Sequence, residues 1–254
     1  MTPFLIAITG GSGSGKSTLA KAFQALIGEE RCALIGEDNY YKARPDHKIN
    51  IVGLPEEEVE KLINFDDCES KTMDDMMNDI ASLGKGETIF QPVYDFTIHD
   101  RIAGQSVRVD PKPIIIVEGI HVLAAPEYAD LFDLTVYVDT PADLRLSRRI
   151  LRDTAPVDQG GRGRDIKRVI AQYLKCVRAS HQRFTEPAKY YCDLVIADEG
   201  LPAVSNAKPD EQAVSRMLAP LVRRVLDMRP ELVGFLNQNS VVIHSRYETC
   251  SLRT

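Results

Sequence analysis

Phe4-Leu5-Ile6-Ala7-Ile8-Thr9-Gly10-Gly11-Ser12-Gly13-Ser14-Gly15-Lys16-Ser17-Thr18 begins as an apolar run, breaks into glycine and serine, and closes on a lysine and two hydroxyls. An apolar run that short, without polar alternation, is the pattern of a strand buried on both faces of a parallel sheet. From Ser17 to Ile27, Leu19, Ala22, Phe23 and Leu26 fall on one helical face and Gly28 supplies a stop. The glycine segment therefore lies between a strand and a helix, the context that G-x-x-x-x-G-K-[ST] requires. Glycines let the backbone wrap a phosphate and turn successive N–H groups inward, and the helix N-terminus adds its positive dipole end. Gly10, Gly11, Ser12, Gly13, Ser14, Gly15, Lys16, Ser17 and Thr18 are thus the expected nucleotide-binding residues. Lys16 is expected to bridge the β- and γ-phosphates, and the Ser17 hydroxyl to ligate Mg²⁺. No G-x-G-x-x-G can be drawn through these glycines, which excludes the dinucleotide fingerprint.

Outward from this segment, apolar runs recur at Ala33-Leu34-Ile35, Ile114-Ile115-Ile116-Val117, Leu134-Thr135-Val136-Tyr137-Val138 and Leu194-Val195-Ile196, with helical stretches between them. Strands alternating with helices predict an α/β fold, a P-loop NTPase-type parallel sheet flanked by helices. Between the second and third runs, Glu87 to Asp95 and Ser106 to Val109 alternate as a β-hairpin would, with a connection of about ten residues. Pro141 to Leu151, Asp165 to Phe184 and Glu211 to Leu226 read as helices. Asp153 to Arg164 contains Pro156, three glycines and two arginines, the composition of a mobile lid. The expected organisation is one kinase-type domain over residues 1–200, with the hairpin at about 87–110 and the lid at about 153–164. Residues 201–254 are expected to form a C-terminal helix and tail packed on the same domain.

The 254 residues are 44% hydrophobic and 27% charged, which excludes a disordered or collagen-like chain. A net charge of −6 argues against nucleic acid as the principal partner. Five widely spaced cysteines without a C-x-x-C pair fit reduced thiols rather than a zinc site or disulfide framework. No stretch reaches the roughly 18 apolar residues of a membrane span, and no basic leader precedes the first apolar run, so a cytoplasmic protein is expected.

Phosphoryl transfer needs an acceptor site, a carboxylate near the acceptor hydroxyl, and positive charge over the moving group. Asp38 follows the second strand, at the carboxyl edge where open α/β sheets place their chemistry. Glu118 ends the most hydrophobic strand, placed to hold magnesium or its waters. Arg145, Arg148, Arg149 and Arg152 share one helix face directly ahead of the lid with its Arg162 and Arg164, a stripe suited to phosphate contact.

Pro92-Val93-Tyr94-Asp95-Phe96-Thr97-Ile98-His99-Asp100-Arg101 resembles the P-x-Y-D-F-x-x-H-x-R signature of the uridine-cytidine kinases. The likeness runs from about Pro3 to Ile196 and includes Val138-Asp139-Thr140, Arg148-Arg149 and Gly163-Arg164-Asp165. The resemblance implies phosphorylation of uridine or cytidine at the 5′-hydroxyl, with ATP or GTP as donor, Mg²⁺ as cofactor and a homo-oligomeric assembly. It makes Asp38 the carboxylate that orients or deprotonates the hydroxyl, and Asp66 a ligand of the sugar. It places Tyr94 and His99 on the pyrimidine edge, Phe96 or Phe65 against its ring, Arg164 and Gln172 on the ribose, and Arg149 and Arg152 on the triphosphate. Lys16, Asp38, Arg149 and Arg152 form the expected catalytic set. Asp67-Cys68-Glu69-Ser70-Lys71 departs from the family's continuation after Phe-Asp, and Ala155 to Gly161 reads as an insertion in the lid. A kinase for another small acceptor, such as a sugar phosphate or pantothenate, shares the same catalytic parts. A guanine-nucleotide switch protein lacks its N-K-x-D segment here.

Overall fold

A computed structural model describes residues 2–198 and 211–235. Along the chain come β1 (Phe4–Thr9), α1 (Lys16–Ile27), β2 (Cys32–Gly36), α2 (Glu56–Leu62), α3 (Met73–Gly84), β3 (Ile89–Asp95), β4 (Asp100–Val109) and β5 (Ile114–Gly119). After these follow α4 (Pro126–Ala129), β6 (Leu134–Asp139), α5 (Ala142–Thr154), α6 (Ile166–Gln172), α7 (Arg178–Ser180), β7 (Leu194–Ala197) and α8 (Glu211–Met228).

Among the described residues five strands make one parallel sheet in the order β2-β5-β1-β6-β7, so β1 lies in the middle between β5 and β6. Alternate residues of β1 feed the two faces, which is why the run carries no polar position. Phe4, Ile6 and Ile8 pack with Leu19, Phe23 and Ile27 of α1 and with Met217, Leu221 and Val225 of α8. Leu5 and Ala7 face the other way, into a cluster with Met76, Ile80 and Leu83 of α3. The register aligns Ile8, Glu118 and Gly36 in one row across β1, β5 and β2. The glycine loop, Glu118 and the Glu37–Asp38 turn therefore emerge side by side at the carboxyl edge, at the strand where the order reverses.

β3 and β4 form a separate antiparallel hairpin, paired from Ile89↔Val109 to Asp95↔Asp100 with an irregularity between Pro92 and Tyr94. Its connection is Phe96-Thr97-Ile98-His99, not the longer segment the alternation suggested. The cause is that β4 from Ala103 to Arg108 is exposed for most of its length, so no buried face writes a period of two into its sequence. His99 closes the turn at φ 49, a conformation unusual for a residue with a Cβ.

Helix α5 runs to Thr154, three residues past the expected end, and brings Asp153 into the interior. The next segment folds back on its own base, with Gly163 N–H on the Ala155 carbonyl at 2.8 Å and Arg164 N–H on that of Asp153 at 2.8 Å. From Asp165, whose carboxylate caps the Lys167 and Arg168 N–H groups, the chain is helical to Thr185 but not uniformly α. π-helical turns at Tyr173–Val177 and His181–Thr185 flank the short α7. The expected tail, 236–254, and the link at 199–210 lie outside the described residues.

Candidate active site

The nucleotide loop is braced from below by α5 and by Thr140, two residues before it. Ser14 N–H closes on the Gly11 carbonyl at 2.9 Å, and the Thr140 hydroxyl donates to the Ser14 carbonyl at 2.9 Å. Arg145 is buried and donates to the Thr140 carbonyl at 3.0 Å. A Cβ at Gly13, whose φ is +81, would meet the Arg145 carbonyl oxygen at 2.4 Å, and one at Gly11 would meet the Arg145 guanidinium at 2.5 Å. Those two glycines answer to Arg145 as well as to a phosphate. Gly15 caps α1 at φ 88, and Gly10, at φ 152, lies against the Val138 carbonyl. Lys16, Ser17 and Thr18 begin the helix, half-buried at the mouth of the loop.

The arginine stripe thus divides by task. Arg148 pairs with Asp198 and reaches the Gly13 carbonyl at 3.5 Å. Arg149 touches Ser12 Oγ at 3.1 Å, Asp66 Oδ1 at 3.5 Å and Gln172 Oε1 at 3.2 Å, which joins the glycine loop to Asp66 and Gln172. Arg152 turns away from the loop to Asp153 Oδ1 at 2.7 Å. Asp153 also takes Arg149 at 3.5 Å and Arg162 at 3.6 Å, so one buried carboxylate fixes the lid's base.

The Ser17 hydroxyl donates to Glu118 Oε1 at 2.9 Å. Burial raises the Glu118 carboxyl above its usual range, opposed by Lys16 and the Ser17 hydrogen bond. Two hard oxygen donors beside a phosphate-binding loop suit Mg²⁺, which keeps several waters and phosphate oxygens around few protein ligands. Asp38 lies in the turn after β2 with its side chain 56% exposed, 3.4 Å from Lys71 Nζ.

Tyr94, Phe96, His99, Arg149, Arg164 and Gln172 line one cavity together with Tyr41, Phe65 and Arg162. Phe65 stacks on His99 at 4.7 Å between centroids and nearly parallel, at 19°. Tyr94 is buried with its hydroxyl unpartnered, its ring 5.0 Å from that of Tyr41. Gln172 Oε1 accepts from Arg149 and, at 3.3 Å, from Arg164. Asp66 is buried beside the cavity, where His121 Nε2 donates to its carbonyl at 3.0 Å. Arg101 ties the hairpin to the sheet edge through the Tyr41 carbonyl at 2.6 Å and the Thr72 hydroxyl at 2.7 Å.

Sequence reading missed Glu60, Tyr41, Lys71 and His121, none of which lies in a local motif. Glu60, on α2, receives His99 Nε2 at 3.1 Å, Arg164 at 2.7 Å and Arg168 at 2.7 Å. Burial pushes its carboxyl up, but the His99 hydrogen bond and the two guanidinium groups outweigh that and bring it down to about 2. A carboxyl lowered from 4.5 to about 2 stabilises the fold above pH 4.5 and loses that contribution as pH falls toward 2. Glu60→Gln is accordingly expected to cost about 2 kcal/mol at neutral pH, with the difference in unfolding free energy closing between pH 4.5 and 2. Denaturant titrations across that range would read it; a pH-independent deficit would refute the charge-based account.

The chain matches the model of the Phosphoribulokinase / Uridine kinase family over residues 5–205. It is 41% identical over 198 residues to a protein named uridine kinase from Clostridium perfringens, covering 78% of this chain and 88% of that one. A uridine kinase from Brevibacillus brevis is 39% identical over 198 residues, covering 78% and 86%. Among solved structures, the phosphoribulokinase from Rhodobacter spheroides superposes with a TM-score of 0.55 at 16% identity, covering 77% of this chain and 70% of that one. D-glycerate 3-kinase from Cryptococcus neoformans gives 0.50 at 14%, covering 74% and 80%. At those identities the structures speak to the fold, a parallel sheet flanked by helices, and not to the acceptor. Among the described residues no helix is long and apolar enough to cross a membrane. With the glycine loop, the Ser17–Glu118 pair and the acceptor-side cavity set around one sheet edge, and relatives matched over most of its length, this chain belongs to the phosphoribulokinase/uridine kinase family of kinases.

Proposed function

We propose that this enzyme transfers the γ-phosphate of ATP or GTP to the 5′-hydroxyl of uridine or cytidine, giving UMP or CMP. The observation that carries the reading is the cavity in which Tyr94, Phe96, His99, Arg164 and Gln172 converge, in a chain 41% identical to a named uridine kinase. The cavity has the chemistry for a pyrimidine nucleoside, with aromatic faces for the ring, a phenol and an imidazole for its edge, and amide and guanidinium groups for ribose hydroxyls.

The glycine-loop amides and Lys16 hold the donor's phosphates, and Ser17 and Glu118 are the residues that would hold Mg²⁺, which would supply positive charge to the triphosphate. Asp38 accepts the hydrogen bond of the 5′-hydroxyl and takes its proton as the O–P bond forms in line with the bond that breaks. Asp66 holds the sugar diol. Arg149 covers the transferring group from the loop side, and Arg152, which rests on Asp153 at the lid's base, exchanges that carboxylate for the triphosphate when the lid closes and excludes water. The four described cysteines are free thiols, in keeping with a cytoplasmic enzyme.

The test is phosphate transfer from ATP·Mg²⁺ to uridine, cytidine, other nucleosides, ribulose 5-phosphate and pantothenate. Uridine or cytidine should be the acceptor, and Asp38→Asn should lower turnover by about 10²–10⁴-fold while ATP still binds. Turnover of a non-nucleoside acceptor alone would sink the assignment of Tyr94 and His99.

A further inference from the structure

Beneath the Asp38 turn lies a charged cluster that the proposed mechanism does not use. Lys71 and Glu37 are both fully buried and form an ion pair. The second Glu37 oxygen accepts the His121 backbone N–H at 2.6 Å, and His121 Nδ1 lies 3.1 Å from the first. Gly119 makes room for this carboxylate, because a Cβ there would stand 1.9 Å from Glu37 Oε2. Lys71 is thereby held on three sides, by Glu37, by the Tyr41 ring 4.4 Å from its Nζ, and by Asp38 Oδ1 at 3.4 Å.

Two charges taken wholly out of water are costly, and an apolar pair of the same volume often serves stability as well. What distinguishes this pair is its third contact. The Asp38 side chain is more than half exposed, and its Oδ1 accepts from the Lys71 ammonium at 3.4 Å, a contact that can hold its orientation. Three carboxylates, Glu37, Asp38 and Glu118, emerge at one sheet edge, where Lys16 and Lys71 are the lysines that face them. Lys16 is committed to phosphate in the proposed mechanism, and Lys71 is, among the described residues, the cation in contact with Asp38.

We propose that Lys71 is a positioning residue, locked by Glu37 and His121, that holds the Asp38 carboxylate at the acceptor hydroxyl. This rests on the reading of Asp38 given above. It places chemistry in the segment after Asp66, where the sequence departs from the uridine-cytidine kinase pattern.

The experiment is a double-mutant cycle on uridine phosphorylation, using γ-labelled ATP so that slow variants are measurable. Glu37→Gln/Lys71→Met removes both buried charges together, and Glu37→Gln/Lys71→Gln is the second version should the first fail to fold by thermal unfolding. With Asp38 intact, the pair change should lower kcat by about 100-fold, leave KM for ATP unchanged, and raise the share of ATP hydrolysed without transfer. Placed on Asp38→Asn, it should cost no more than about 2-fold, because the residue it acts through has already gone. The same loss in both backgrounds would mean a merely structural pair and overturn the proposal. Wild-type turnover by Asp38→Asn alone would overturn the reading of Asp38 itself, and the role of Lys71 with it.

Discussion

Lys16→Ala is expected to lower phosphoryl transfer by about 10²–10³-fold or more, mostly in kcat. Lys16 is the first residue of α1, directly after the glycine loop, the position from which this motif's lysine reaches the phosphates. Charge moves onto the bridging oxygen as the γ-phosphoryl leaves, so an ammonium held there stabilises the transition state more than the ground state. The substitution leaves the loop's own bracing intact, since that runs through Thr140 and Arg145. Thermal unfolding should therefore match wild type while single-turnover transfer collapses. A variant with normal kcat and a raised KM for ATP would instead mean that Lys16 only binds the donor.

Lys71→Met alone is expected to destabilise the protein by about 3–5 kcal/mol, because it strands the Glu37 carboxylate without its cation in the interior. For a chain of this size that corresponds to a drop in Tm of about 10 °C. Glu37 is held well below the usual carboxylate range: burial pushes it up, and Lys71 and His121 more than reverse that. Lys71 is held above its own range by Glu37 against the opposing effect of burial, so the two partners agree in sign. The pair's stabilisation is thus present at neutral pH and weakens on acidification below the ordinary carboxylate range. Adding Glu37→Gln to Lys71→Met should recover most of the lost Tm. If the double variant is no more stable than the single one, the cost lies in packing and not in an unpaired charge.

The sheet was legible because its information is local. An unbroken apolar run such as Phe4–Thr9 reports burial on both faces by itself, and Gly10–Ser17 carries its chemistry within eight consecutive residues. The hairpin was half legible: β3 has buried positions at Ile89, Gln91 and Tyr94, but β4 faces water along most of its length and its start was placed too late. The stripe of arginines on α5 could be drawn from spacing, yet spacing does not say which guanidinium meets what. Arg145 turned out to support the loop from beneath, and Arg152 to hold the lid's base. Glu60 and Lys71 escaped because their meaning depends on partners far along the chain: His99 and Arg164 for the first, Glu37 and Asp38 for the second. A lone Glu on a short acidic helix and a lone Lys after a turn look like solvated surface until the fold closes over them.

The π-helical turns after Gln172 have a consequence for how this region can change over generations. Each such turn spans one residue more than an α-turn, so it stores a single-residue length difference inside a continuous helix. Removing one residue from Tyr173–Val177 would let the helix relax to the α period and rotate its N-terminal part by about 100° relative to its C-terminal part. Gln172, which Arg149 and Arg164 both address, stands immediately upstream. Indels should therefore be better tolerated in the lid between Ala155 and Gly161, whose two ends meet at one base, and be purged from 173–185, where length sets an angle.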